Sequence, residues 1–187
     1  MDLLHTFGEI LNPIRKALTI ALFSLLSACA STYRPPSNGD TAKIRYLNAS
    51  QNGRHVSIFA YEKNDCSSPQ VIGNMDERLL RKPENTNARS MPLNTDLDLQ
   101  KSIEIVVPAG KPFISYVRLL NLGSYSTSCR ITFSFTPKKD GMYEAIYDED
   151  DTRCFITLNM IDQDKNGKFV RFGAMDLLDP KTRQCKF

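Results

Sequence analysis

The stretch Cys129-Arg-Ile-Thr-Phe-Ser-Phe-Thr136 carries the most regular alternation of residue types in this chain. Its odd-numbered residues are apolar or cysteine and its even-numbered residues are polar, which is the pattern of a β-strand with one buried face. The next residues, Pro137-Lys-Lys-Asp-Gly141, favour a turn because proline and glycine fit turn geometry. We therefore predict a strand here that ends in a tight turn.

The same alternation returns along the rest of the chain. One short helical turn is predicted near 76–82, where Asp76 favours its start and Pro83 its end. Short strands with turn signals between them and almost no helix predict an all-β fold, an antiparallel β-sandwich of the immunoglobulin or transthyretin kind with about eight or nine strands. The clearest predicted strands are 41–48, 54–61, 102–107, 113–122, 129–136, 142–147, 154–161 and 168–172.

The connections predict which strands are neighbours. Asn52-Gly53 lies between the first two strands and is typical of a tight hairpin. The turn at 137–141 predicts that the strands on either side of it pair. Strand 142–147 would then lie between strands 129–136 and 154–161. Aromatic residues at strand spacing predict the core: Phe133, Phe135, Tyr143, Tyr147, Phe155, Phe169 and Phe172.

The first 28 residues differ in composition from the rest. Arg15 and Lys16 precede a mostly apolar run, 17–28, that is too short to cross a bilayer as a helix and ends in small residues. This is the pattern of a secretory signal. The four residues Leu26-Ser-Ala-Cys29, at the end of this run, resemble the lipobox of bacterial lipoproteins. That resemblance implies cleavage before Cys29, lipidation of Cys29 and, because Ala30 is not acidic, location at the outer membrane.

These boundaries divide the chain into three parts. Residues 1–28 are the expected lipoprotein signal peptide. Residues 29–40, rich in Pro, Ser, Asn and Gly, are the expected flexible membrane tether. Residues 41–187 are the expected single β-sandwich domain, whose size is sufficient for one core.

Four cysteines remain after Cys29: Cys66, Cys129, Cys154 and Cys185. An even number in an oxidising compartment predicts two disulfides, with three possible pairings. With strand 142–147 between them, Cys129 and Cys154 would be about 9 to 10 Å apart, too far for a bond. We therefore favour the pairs Cys66–Cys129 and Cys154–Cys185.

A second resemblance rests on motifs of the central region. They are Val107-Pro-Ala-Gly-Lys-Pro112, then Cys129 leading to Phe133-Ser-Phe-Thr-Pro137, then Gly141-Met-Tyr143 and Arg153-Cys154. This order is similar to a group of small Gram-negative lipoproteins with a PAGKP turn and a C…FTP…GxY…C pattern. Turn and core residues carry the resemblance, so it implies the fold and an envelope location but no activity.

The best candidate for metal chemistry is Asp162-Gln-Asp164-Lys-Asn166-Gly167. Alternating carboxylate and amide oxygens before a glycine match the first half of a calcium loop. Gly173 stands where the bidentate glutamate of such a loop belongs, and a polar hairpin turn explains the same residues. We therefore expect no cofactor, and calcium held by Asp162, Asp164 and Asn166 stays open as an alternative.

Other chemistry has simpler structural explanations. The run Asp148-Glu-Asp-Asp151 contains carboxylates for acid and base catalysis, but it is more typical of a solvated loop. His55 lies in a predicted strand without a nucleophile motif nearby and is expected to be structural. A formal net charge of +3, without a basic run between aromatics, argues against a nucleic acid partner.

We therefore expect no enzyme. We expect a lipid-anchored protein of the outer membrane whose domain faces the periplasm and binds or supports an envelope protein partner. Three alternatives stay open. One is a component of a secretion-system assembly, similar to type VI lipoproteins. The others are a calcium-dependent binding module and an enzyme or inhibitor acting on envelope substrates.

Overall fold

The computed structural model describes residues 31–50, 55–61, 66–75, 91–92, 102–120, 129–150 and 153–179. These residues form two five-stranded sheets packed face to face. The first sheet contains, in spatial order, β1 (Ser31–Thr32), β4 (Pro69–Met75), β3 (His55–Tyr61), β6 (Phe113–Leu120) and β7 (Arg130–Phe135). The second contains β10 (Phe169–Gly173), β9 (Cys154–Gln163), β8 (Met142–Glu149), β2 (Thr41–Asn48) and β5 (Ser102–Pro108).

The predicted β-sandwich is confirmed, with two strands, β1 and β4, beyond those that the alternation identified. Both sheets are mixed, because β1 pairs with β4 and β2 pairs with β8 in parallel. The remaining pairs are antiparallel, as expected. The only helical element among the described residues is a 3-10 turn at Met175–Leu177.

Two predicted hairpins are wrong. β2 and β3 belong to different sheets, so the Asn52-Gly53 connection does not join paired strands. β7 and β8 also belong to different sheets, so the turn at 137–141 crosses the sandwich. Alternation shows which side of a strand is buried, but both sheets bury one side, so it cannot say which sheet a strand joins. The predicted pairs of β8 with β9 and of β9 with β10 are present.

The crossing at 137–141 also corrects the disulfides. Cys129 and Cys154 are bonded to each other, with their Cα atoms 6.3 Å apart. They precede or begin β7 and β9, which lie in opposite sheets, so the separation expected for strands of one sheet does not apply. The favoured pairs Cys66–Cys129 and Cys154–Cys185 are therefore wrong. Cys66 is disulfide-bonded too, and its partner is not among the described residues.

The core lies between the sheets and is filled by alternate residues of the strands. Aliphatic and aromatic side chains share its volume, and Phe133, Phe135, Tyr143 and Tyr147 are buried there as predicted. The prediction is wrong for Phe155 and Phe172, which are 41% and 43% exposed. Phe155 alternates with the buried Ile156 and therefore points to the outer face of its sheet, and Phe172 lies on β10, an outermost described strand of that sheet.

The start of the domain differs from the expected flexible tether over 29–40. Ser31 and Thr32 form β1 beside β4, and Tyr33 donates a backbone hydrogen bond to the carbonyl of Val71. The Tyr33 ring is buried against Phe113, and its hydroxyl donates to the Val106 carbonyl at 2.9 Å. Burying one aromatic ring gives this short strand the apolar contact that its two residues lack.

The PAGKP and GxY motifs meet at one end of the sandwich. Gly110 adopts a positive φ of 70°, which glycine tolerates without strain, and its N–H donates to the Pro137 carbonyl. At Gly141 a side chain would lie 2.8 Å from the Tyr143 ring, so only glycine fits there. The Tyr143 hydroxyl in turn accepts the N–H of Lys138. These motif residues are therefore structural.

Several predictions concern residues outside the described ranges. They are the signal peptide 1–28, the lipidated Cys29, the helical turn near 76–82 and Cys185. Among the described ranges, none contains a helix that is long and apolar enough to span a membrane.

Candidate functional site

A buried network of charges lies on the outer face of the second sheet. Arg45 on β2 stands in register with Glu104 on β5 and with Glu144 on β8. Side chains at paired positions point to the same face, so the guanidinium lies between the two carboxylates. Its Nε is 2.8 Å from Glu104 Oε1, and its Nη1 is 2.9 Å from Glu144 Oε1. A second guanidinium, that of Arg171 on β10, pairs with Glu144 from the other side.

This buried charge network (Arg45, Glu104, Glu144 and Arg171) is covered by a segment of the β4–β5 connection. The Arg45 side chain is fully buried although it points away from the core. Its Nη2 donates to the Met91 carbonyl at 2.9 Å, and the Met91 N–H donates to Glu104 Oε2 at 3.4 Å. Two arginines balance two glutamates, and the hydrogen bonds hold Met91 and Pro92 on the sheet. The network therefore fixes a covering segment and leaves neither carboxylate available as a solvent-exposed acid or base.

Sequence reasoning missed this network. The alternation along β2 places Arg45 on the outward face of its strand, where it is found, but an outward charge is normally solvated. The available signal was the position of the charges inside apolar runs, as in Ile103-Glu104-Ile105 and Ile44-Arg45-Tyr46. A charge flanked by apolar residues on both sides is a candidate for a buried pair, and three such residues are brought together here.

A cleft lies beside the network, along β10. Its volume is about 270 Å³, slightly below the roughly 300–1,000 Å³ of pockets that hold drug-sized ligands. Most of the lining is apolar, with two basic side chains at its margin. A space of this size fits one or two side chains of a protein partner. The residues that line this β10 cleft are Pro92, Ile161, Lys168, Phe169, Val170 and Arg171.

Exposed apolar residues continue from the cleft along the same edge. Phe172 and Met175 are 43% and 51% exposed, and the Met175 sulfur accepts the N–H of Leu158 on β9. Among the described strands β10 is one of the two outermost of its sheet, and β5 is the other. An outer strand presents backbone groups to solvent and is a template for pairing with another chain. The same side of the second sheet thus has an outer strand edge, exposed apolar side chains and the β10 cleft.

The first sheet carries a second apolar cluster on its outer face. The rings of Phe59 and Tyr116 stack at 4.4 Å, and the Arg130 guanidinium lies 4.0 Å from the centre of the Tyr116 ring. Tyr61 and Tyr116 are each only 7% exposed, and Cys66 packs against them. Burial raises the pKa of both tyrosines, and Arg130 offsets part of that rise. Since the rings are covered, this cluster is a small second core and not an open surface.

The candidate calcium residues lie in the hairpin between β9 and β10. Asp164 Oδ1 accepts the backbone N–H groups of Lys168 and Asn166 at 2.9 and 2.8 Å. These hydrogen bonds hold the pKa of the Asp164 carboxyl below its usual value. Asp162 Oδ1 accepts the N–H of Gln163. The side chains therefore support the turn itself, and no cluster of three or more metal-binding side chains occurs within the described ranges.

The acidic run after β8 is also used by local structure. Glu149 accepts hydrogen bonds from the hydroxyls of Ser50 and Tyr147, both at 2.9 Å. Asp150 accepts the N–H of Arg153 and so closes the turn into β9. Asp151 is outside the described residues. His55 begins β3 at an intermediate level of burial.

Comparison with known proteins gives no relative to which this site can be compared. No family model matches the chain, and searches of curated proteins and of solved structures give no match. The site is therefore interpreted from its own geometry.

Proposed function

We propose that this chain is a lipid-anchored protein of the bacterial envelope that binds another envelope protein along β10. The anchor rests on the sequence Leu26-Ser-Ala-Cys29 after its short apolar run. An outer-membrane location with the domain facing the periplasm belongs to the same proposal. The binding role rests on one structural observation, the coincidence of an outer strand, an adjoining cleft and exposed apolar side chains.

Strand addition is the mode of binding that these features favour. An extended segment of a partner would pair with the outer edge of β10, and its alternate side chains would point to one face. One apolar side chain would enter the β10 cleft between Pro92 and Ile161. Lys168 at the margin favours a partner segment that also carries a carboxylate. The buried charge network keeps the floor of the cleft rigid before binding, which lowers the entropic cost of association.

The anchor is tested by Cys29→Ser. Wild-type protein from whole cells is expected in the membrane fraction, with a mature mass that corresponds to a lipidated chain beginning at Cys29. The serine variant is expected to remain uncut at this site and to carry no lipid. A wild-type chain without acyl mass would contradict the lipoprotein part of the proposal.

Binding along β10 is tested by photo-crosslinking in intact cells. A crosslinking amino acid at Phe172 is expected to capture one envelope protein. The matched control is the same amino acid at Arg118, an exposed position on β6 of the other sheet. Capture should also fall when Val170 is replaced by aspartate in the cleft while the crosslinker stays at Phe172. Equal capture at positions 172 and 118, or capture insensitive to Val170→Asp, would rule out β10 as the binding edge.

The other functions considered are not put forward. In the described residues the candidate calcium oxygens support a hairpin, and the carboxylates of the network and of 148–150 are engaged by arginines, hydroxyls or backbone N–H groups. A role in a secretion-system assembly rests on fold analogy alone. Identification of the captured partner would decide it.

A further inference from the structure

Folded structure begins almost at the proposed lipid attachment site. Ser31 already pairs with Gln70, and Tyr33 is buried, so the sandwich starts two residues after Cys29. Consecutive Cα atoms are about 3.8 Å apart, so Cys29 lies no more than about 8 Å from Ser31. A long flexible tether would let the domain rotate freely above the bilayer. With β1 docked, the length of free chain is too short for that.

The strand register shows which end of the sandwich is held. Ser31 lies level with Ala60 and Ser115, near the end of β3 and the start of β6. The described ranges include four complete connections at this end of the sandwich and residues 66–68 of the β3–β4 connection. Backbone hydrogen bonds from Ala109 to Asp40 and from Gly110 to Pro137 join three of them. We call this the anchor end, formed by segments 33–40, 109–112, 136–141 and 164–168.

Positive charge is concentrated at the anchor end. Its segments contain six basic residues against three acidic ones, Asp40, Asp140 and Asp164. Of these acids, Asp40 pairs with Lys139, and Asp164 accepts backbone N–H groups. Lys43 lies next to this end, opposite Met142. Every lysine of the described ranges is thus located here: Lys43, Lys111, Lys138, Lys139, Lys165 and Lys168.

In the described ranges, acidic residues lie at the other end of the second sheet. The end of β8 and the turn after it carry Asp148, Glu149 and Asp150 beside Arg153. Bacterial membranes contain anionic lipids, and lysines near such a surface are attracted to headgroup phosphates over about one Debye length. The short connection to Cys29 and the unequal distribution of charge between the two ends therefore favour the same orientation of the domain on the membrane.

We propose that the anchor end lies on the membrane, with its lysines in contact with anionic lipid headgroups. This inference rests on the proposed lipidation of Cys29. It orients the strands steeply to the bilayer and directs the acidic turn of 148–153 away from it. The β10 edge would then stand upright and stay open to a partner.

Hydrogen exchange of the mature lipidated protein tests this orientation. The full chain is expressed, purified from membranes and reconstituted in two kinds of vesicle, phosphatidylcholine alone or with phosphatidylglycerol added. We expect amides of 109–112 and 136–141 to exchange in the anionic vesicles at about one third of their rate in phosphatidylcholine vesicles, or more slowly still. Amides of 148–150 should exchange equally in both. The difference should disappear in concentrated salt, because the Debye length falls to about 3 Å at 1 M.

A charge-reversal pair provides the matched control. Lys111→Glu with Lys138→Glu should abolish the slower exchange, because both side chains are exposed at the anchor end. Arg118→Glu with Arg153→Glu makes the same change in net charge on exposed residues away from that end and should leave it intact. Both variants must first show unchanged thermal unfolding in detergent, and single substitutions replace any pair that does not.

The outcomes separate the two proposals. An acylated protein whose anchor-end amides exchange equally in both vesicles, or whose protection survives the Lys111 and Lys138 reversal, overturns the orientation alone. A protein without acyl mass overturns the anchor and the orientation with it. Neither result affects the crosslinking test of β10.

Discussion

Arg45 has a structural role that its position in an outward strand face conceals. Its guanidinium is fully buried between Glu104 and Glu144, and a backbone carbonyl at Met91 satisfies one further N–H. A buried ion pair contributes little net stability compared with apolar residues, but removing one partner leaves an uncompensated charge. The network is therefore sensitive to any change at its centre.

We predict that Arg45→Met lowers the free energy of unfolding by about 3–5 kcal/mol, because two buried carboxylates lose their shared partner. The control is Arg171→Met. The Arg171 side chain is 33% exposed and its removal leaves Glu144 paired with Arg45, so the loss should be clearly smaller. Urea denaturation followed by circular dichroism measures both. Equal losses would show that Arg45 is not the centre of the network.

The buried tyrosines predict how stability depends on alkaline pH. Burial raises the pKa of Tyr46 and of Tyr33 well above the usual value near 10. A raised pKa in the folded state means that the folded protein keeps a proton that the unfolded chain has lost. This stabilisation is complete below about pH 10 and decreases as pH rises further.

We therefore expect Tyr33 and Tyr46 to ionise only when the protein unfolds. Absorbance at 295 nm after a rapid jump to alkaline pH should show a slow phase that coincides with loss of the β-sheet signal. Tyr46→Phe should reduce the amplitude of that phase. Ionisation of all tyrosines before unfolding would contradict the burial of these two hydroxyls.

At the scale of elements, β1 depends on one side chain. Two residues of backbone pairing with β4 do not hold a strand against thermal fraying. The Tyr33 ring packs edge-on against Phe113, and its hydroxyl donates to Val106 of the opposite sheet. A single aromatic residue therefore connects the start of the domain to both sheets.

We predict that Tyr33→Ala lowers the free energy of unfolding by about 3 kcal/mol and releases β1. Tyr33→Phe keeps the ring and should cost only about 1 kcal/mol for the lost hydrogen bond. Limited proteolysis distinguishes release from general loss of stability, because only the alanine variant should be cut near Tyr33 under native conditions. If neither variant is cut there, β1 is held by other contacts.

Sequence could predict the strands but not how they are distributed between the sheets. The alternation that identified β2, β7 and β9 reports a buried side with period two, and it gives the same signal in either sheet. Consecutive strands are neighbours in only about two-thirds of cases, and here both β2–β3 and β7–β8 are exceptions. The disulfide prediction failed with them, since it depended on the supposed β7–β8 pair.

The functional features were harder still to predict. The burial of Arg45 depends on Met91 and Pro92, which come from a connection without a periodic pattern. Exposure of Phe172 depends on β10 being an outermost strand. Both are properties of how distant segments assemble. A local pattern of residue types therefore cannot predict the burial of Arg45 or the exposure of Phe172.

At the scale of the whole molecule, a disulfide connects the two sheets. The Cys129–Cys154 bond joins the start of β7 to the start of β9 over a sequence separation of 25 residues. With Cys29 lipidated as proposed, four cysteines remain, and the one pairing of them that contains this bond joins Cys66 to Cys185. We expect both bonds in the mature protein.

Peptide mapping without reduction should recover these two linked pairs and no others. Replacing Cys129 and Cys154 together with alanine should lower the free energy of unfolding by about 3 kcal/mol, as expected for a loop of this length. Thermal unfolding of the double variant against wild type measures the loss. A recovered Cys66–Cys129 peptide would contradict the strand arrangement on which the interpretation rests.

The parallel pair at the centre of the second sheet determines when this protein folds. β2 is among the first strands to be made, yet one of its neighbours is β8, and Arg45 meets Glu144 from 99 positions away. Contacts of such long range make folding slow, in the range of milliseconds to seconds. Until β8 arrives, the chain keeps Arg45 hydrated and its apolar strands accessible to chaperones. Slow closure of this sheet would suit the export that we propose, because the chain would stay extended while it passes through a channel.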